Sequence, residues 1–162
     1  MKMMTRVTVV ALCLMTSGAV LPAQQPAPGP GAEALQGGWN EVSAWIAKSA
    51  DIVPADKYGY RPVATVRTFG QLVAHVADAY NWYCASATAN GVEWADPVEK
   101  GPQDKATLVK ALKAATDRCA AVYASPAAAR PKPVLGNLGH ASLHYGNMIT
   151  YMRMLGLTPP SS

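Results

Sequence analysis

The chain carries only three histidines, His75, His140 and His144. The last two are four residues apart, so on a helix their imidazoles stand one turn apart on one face and can reach a single ion. His75 falls near the middle of a different apolar-periodic segment, at a height from which it can add a third nitrogen across a helical core. Three neutral imidazoles leave at least one coordination position for water or substrate, which separates a catalytic zinc site from a closed structural one. Imidazole also suits nickel and other divalent ions, so the spacing does not choose the metal. A four-residue spacing is a short motif, and three unrelated helical histidines, satisfied by hydrogen bonds or solvent, are the alternative.

Other residues near these histidines in sequence can join such chemistry. Asp78 lies one turn beyond His75, where it can accept the second imidazole proton or act as a base on activated water; a solvated helix carboxylate is the alternative. Asn147 and Tyr151 follow His144 by three and seven residues, on about the same helical face, to orient a substrate or to fill a helix seam. Trp82, two turns beyond His75, can wall a pocket or belong to a core. Arg61, beside Pro62 in a loop, can meet an anionic group or hydrogen-bond loop carbonyls. The sequence contains no Gly-rich phosphate loop, Cys-x-x-Cys pair, Gly-x-Ser-x-Gly elbow or c-type haem attachment motif.

Helices must hold these groups. Leu35, Trp39, Val42 and Ile46 recur at helical spacing from Ala32 onward, and Pro54 limits that first helix. Thr68 is the expected N-cap of a second helix whose apolar face is Phe69, Leu72, Val73, Val76, Tyr80, Tyr83 and Cys84, with Asn90-Gly91 as its stop. A third opens at Asp104, carries Leu108, Val109, Leu112, Ala115, Cys119 and Val122, and stops before Pro126. A fourth spans about 134–155, with Gly156 at its C-cap and Pro159-Pro160 beyond. No stretch alternates with period two for long enough to make a strand. The expected fold is an all-α four-helix bundle. Residues 51–67 and 89–103 exceed minimal hairpin turns, so at least one connection is expected to cross the bundle.

Composition narrows the possible classes. Of the 162 residues 50% are hydrophobic and 15% charged, enough for one packed domain and unlike a disordered chain. Lys2 and Arg6 contribute two of the four net positive charges, and no basic stripe with interleaved aromatics points to nucleic acid. Those two cations precede the apolar run Val7–Leu14 and the small residues Ser17, Gly18 and Ala19, the order of a secretory signal peptide cut after Ala19 or Ala23. The run is short and interrupted for a membrane span of about 20 residues. Residues 1–23 are therefore read as a signal, 24–32 as a flexible linker, 33–158 as the bundle and 159–162 as a tail. The mature protein is expected to be periplasmic or secreted and free of the membrane.

Two stretches resemble the DinB-like (DinB/YfiT) family of metalloenzymes. One is YGYRPVATVRTFGQLVAHVADA, residues 58–79; the other is HASLHYGNMITYMRMLGLTPPSS, residues 140–162. The likeness extends more weakly over 33–158. It implies an up-down-down-up bundle with a crossover connection, often dimeric, holding a divalent metal through three histidines, onto which His75, His140 and His144 fall; imidazole ligation makes zinc or nickel the expected ion. Many relatives carry a polar Asp-Asn-Glu stretch between the paired histidines where this chain has Ala141-Ser142-Leu143. A bound metal can polarise substrate or activate water, and the simplest such chemistry, hydrolysis of an unknown small molecule, is the expected activity. A metal-dependent thiol-S-transferase is the family-based alternative, and a non-enzymatic metal- or ligand-binding module is the other. The topology also bears on Cys84 and Cys119, the pair left once Cys13 departs with the signal. As simple antiparallel neighbours, helices two and three would hold these cysteines at opposite ends of the bundle. A crossover through 89–103 makes the helices parallel and brings the sulfurs level. Loop length and family topology favour the second arrangement, so a Cys84–Cys119 disulfide is expected, with two buried thiols as the alternative.

Overall fold

A computed structural model describes residues 29–126 and 129–162, and the expected signal peptide (1–23) and residues 24–28 of the expected linker lie outside that range. Four helices make the fold: α1 (Pro30–Ile52), α2 (Phe69–Thr88), α3 (Lys105–Ala124) and α4 (Pro131–Met154), with a short 3-10 turn at Ala55–Lys57 after α1. Among the described residues there is no strand, and no helix is long and apolar enough to cross a membrane.

Local chemistry sets the helix ends. Thr68 and Gln71 form a capping box: the Thr68 hydroxyl accepts from the Gln71 N–H at 3.1 Å, and the Gln71 side chain accepts from the Thr68 N–H at 2.9 Å. Asp104 caps α3 by accepting from the Thr107 N–H at 2.9 Å. Two starts differ from the periodicity. α1 opens at Pro30, inside the expected linker, and α4 opens at Pro131, three residues before Val134. In both cases a proline occupies the first turn, where a missing N–H costs nothing and a fixed φ suits the helix. Gly156, at φ +74°, ends α4. Its N–H donates to Arg153 O at 3.0 Å and that of Leu157 to Met152 O at 2.8 Å, the paired bonds of a Schellman motif.

Side-chain contacts fix the direction of every helix. On α2 and α3, Gly70 meets Leu108 near the starts and Cys84 bonds Cys119 near the ends, so these helices are parallel. α1 and α4 are parallel too, since Gly38 meets Leu138 and Trp45 stacks on Tyr145. α2 and α4 are antiparallel: Tyr83 touches Gly136, and the Tyr151 hydroxyl donates to Arg67 O at 2.9 Å. α1 and α3 are antiparallel as well, with Trp39 on Tyr123 at one end and the Lys105 ammonium donating to Asp51 O and Val53 O at the other. The order is up-down-down-up, and residues 89–104 run back along the bundle as the crossover.

Trp39 anchors the core, stacked on Tyr123 at 4.5 Å and edge-on to Tyr80 at 4.7 Å, which ties α1, α3 and α2 together. The expected Cys84–Cys119 disulfide is formed, with 5.4 Å between Cα atoms. In chain-entropy terms a bridge closing a loop of this length contributes on the order of 4 kcal/mol. The crossover is strapped to α2 by polar side chains: Trp82 Nε1 donates to Val92 O at 3.0 Å, and both oxygens of buried Asp78 accept the Val98 and Glu99 N–H groups at 3.1 and 2.9 Å.

Candidate metal centre

α2 and α4 cross so that His75 faces His140 and His144. The Nε2 atoms of His75 and His140 are 3.3 Å apart, and those of His140 and His144 are 3.1 Å apart. One ligand atom from each of the three lies within 4.8 Å of the others. Tetrahedral ligands at a zinc–nitrogen distance of about 2.0–2.1 Å stand roughly 3.3–3.4 Å apart, so the spacing suits a shared ion.

Charge favours the same conclusion. Burial pushes His140 and His144 down to about 4, helped by the neighbouring imidazoles and Arg67. His75 is lowered as well, mainly by burial and then by Arg67, against the opposing pull of Glu99. All three rings are therefore neutral near pH 7, the form that ligates metal. Their protons are awkwardly placed without an ion. The Glu99 carboxylate, 3.2 Å from His75 Nδ1, calls for the proton there and so leaves a lone pair on Nε2. His140 Nε2, between its two neighbours, has one proton or one lone pair to share between them. Nδ1 of His140 and of His144 are buried without a hydrogen-bond partner. A divalent cation accepting three Nε2 lone pairs removes the conflict at the centre, so the residues fit the group.

The support of His75 differs from what its sequence neighbours imply. Asp78, expected beside His75, instead spends both oxygens on the Val98 and Glu99 amides. Burial pushes its carboxyl above the usual range, and those two hydrogen bonds pull it back. The carboxylate that meets His75 is Glu99, held in the crossover and gripped from its other side by the Arg67 guanidinium, Nε to Oε1 at 2.6 Å and Nη2 to Oε2 at 3.3 Å. Asp78 thus acts on His75 indirectly, by fixing the turn that carries Glu99. Nothing in apolar periodicity distinguishes Glu99 from Glu93 or Asp96 in the same connection; only the fold selects it.

Beside the histidines opens a cleft of about 570 Å³, lined by His144, Glu99, Arg67, Asn147, Tyr151, Leu72 and the loop residues Pro62, Val63, Thr65 and Val66. Asn147 and Tyr151 therefore reach the place expected of them, although the Tyr151 hydroxyl is committed to Arg67 O. Arg61 does not line the cleft: its Nη1 donates to Ala64 O at 3.1 Å and stabilises its own loop. Arg67, six residues later, is the arginine at the cleft. Trp82 lies off it, packed on Tyr83 and Trp94, and Trp94 is the tryptophan whose ring approaches His75, at 5.7 Å.

Comparison with known proteins agrees with this arrangement. The model of the DinB superfamily matches residues 34–152, a span that contains all three histidines, both bonded cysteines and Glu99. No curated protein and no solved structure matches the chain.

Proposed function

The chain belongs to the DinB superfamily, and from that membership we propose that it is an exported metal-dependent hydrolase holding one divalent ion, zinc or nickel, through His75, His140 and His144. The observation that carries the reading is the convergence of three neutral Nε2 atoms at 3.1 and 3.3 Å, with His144 of the three lining an open cleft. When bound, such an ion supplies Lewis acidity that polarises a substrate oxygen and activates water. The rest falls to the chain's own groups. Glu99 keeps the His75 proton on Nδ1 and the lone pair of Nε2 toward the other histidines. Arg67 uses two of its donor groups on Glu99 and has others for an anionic or carbonyl oxygen in the cleft. The Asn147 amide orients a polar substrate group, and Pro62, Val63 and Val66 shield it from bulk water.

Export rests on the charged, apolar and small-residue order of residues 2–19, and the Cys84–Cys119 bond fits an oxidising compartment. An oxidising location also weighs against a thiol-S-transferase, whose low-molecular-weight thiol is kept reduced in the cytoplasm. Homodimerisation is part of the reading, supported by exposed Leu135 and Leu143 on the outer side of α4; light scattering that finds only monomer removes it.

Elemental analysis and titration of the mature protein test the core of the proposal. One ion per chain is expected, lost in His144→Ala. Turnover across ester, amide and thiol-conjugate substrates should disappear on chelation and return with the ion. Unchanged affinity in alanine variants of each histidine rejects the site. Turnover of thiol conjugates alone moves the chemistry to transfer, and one tightly held ion without any turnover makes the protein a binding module.

A further inference from the structure

The seam between α2 and α4 holds a second cavity, on the opposite side of the histidines from the Arg67 cleft. It measures about 400 Å³, within the range of small-molecule sites. Trp82, Tyr83, Val92 and Pro133 give it apolar and aromatic walls, and Arg130 and Lys132 stand at its edge with no carboxylate among the lining residues. The Arg130 guanidinium is held by Asn90 Oδ1 and Ser86 O, so a cation is fixed in place there. Lys132 is exposed and makes no ion pair among the described residues. Gly136 lets the Tyr83 ring approach α4 closely, since a Cβ at that position would stand 2.9 Å from Tyr83 Cε1. Tyr83 is also 5.6 Å from the His140 ring. One aromatic side chain thus borders both the cavity and the metal centre.

We propose that this cavity binds an amphipathic anion, an aryl or short-chain carboxylate, with its apolar body against Trp82 and Tyr83 and its carboxylate toward Lys132 and Arg130. The binding goes beyond the metal reading, because none of these groups is a metal ligand and the cavity needs no ion to form. A ligand seated there touches the ring that touches His140, which places it beside any reaction at the histidines.

The probe series is phenylbutyrate, its neutral amide and phenylbutylamine, titrated into metal-free mature protein with Trp82 indole and Gly136 amide signals followed by NMR. Affinity should fall in the order acid, amide, amine. Lys132→Glu should weaken the acid by at least about fivefold, and Ser86→Trp, which fills the cavity, should remove binding. Zinc affinity should be unchanged in Lys132→Glu, so loss of this site and loss of the metal site are read separately. Equal binding of all three probes, no binding at millimolar acid, signal changes confined to the Arg67 cleft, or insensitivity to both variants overturns the proposal.

Discussion

α2 is shared by two seams that are built differently. Toward the core and α3 it presents Phe69, Val73, Tyr80 and Cys84, closed over by Trp39 of α1, Tyr123 of α3 and a covalent bond. Toward α4 it presents His75, with Tyr83 beyond it, and there ring nitrogens face one another and two Nδ1 atoms find no partner. The first seam gains its stability from burial and cross-linking. The second gives up some of that to hold three lone pairs together. Stability and chemistry are thus allotted to opposite sides of one helix.

The sharpest separation comes from removing the bridge. Cys84→Ser with Cys119→Ser should cost about 2–5 kcal/mol in urea unfolding while leaving metal stoichiometry at one. Loss of metal binding in a still-folded double variant would join the two seams into one unit.

Asp78 should be the exception that spans both. Its two amide hydrogen bonds fix the crossover, so Asp78→Ala should lower stability by about 1–3 kcal/mol through unsatisfied buried amides. It should also weaken metal binding, because Glu99 is carried by the freed turn. A stability loss with unchanged metal affinity would show that the turn keeps its shape without the clamp.

Glu99→Gln isolates the other side. Metal affinity is expected to fall about tenfold, the usual effect of losing a ligand's hydrogen-bonded carboxylate, with unfolding midpoints close to the parent. A fall in stability as large as that of Asp78→Ala would place Glu99 with the fold rather than with the site.

The effect that vanishes near neutrality and grows only toward acid is a pH dependence confined to the histidine seam. His140 and His144 are held near 4 in the folded chain and return to about 6.5 when unfolded. Between those values the unfolded chain binds more protons, so metal-free protein should be constant in stability above about pH 6.5 and lose it progressively toward pH 4. Thermal unfolding at stepped pH checks this, and His144→Ala should flatten the slope. A slope of the opposite sign would mean the rings are charged in the fold.

What could be read from sequence follows the same division. The α3-facing side of α2 repeats at helical spacing, and Thr68 and Asp104 are caps whose side chains bond within three residues, so local pattern determines them. His140 and His144 were legible for the same reason, being one turn apart. Glu99 and Arg67 were not. Their positions depend on a 24-residue separation between His75 and Glu99 that only the crossover closes, and on a loop in which Arg61 turns back to Ala64 while Arg67 reaches the cleft. Asp78 is near His75 in sequence, yet the helix turns it toward the crossover amides of Val98 and Glu99.

The parallel run of α2 and α3 has a consequence for assembly. A chain that paired these helices as a plain hairpin would hold Cys84 and Cys119 near opposite ends of the bundle, beyond the roughly 4.4–6.8 Å that a bridge allows. Oxidation can then lock only chains whose crossover has travelled the length of the bundle, and miswound chains keep free thiols. The sulfur pair serves as a proofreading step for topology. Native-condition oxidation should therefore trap the crossover form, read as loss of both free thiols in the fraction that binds the ion.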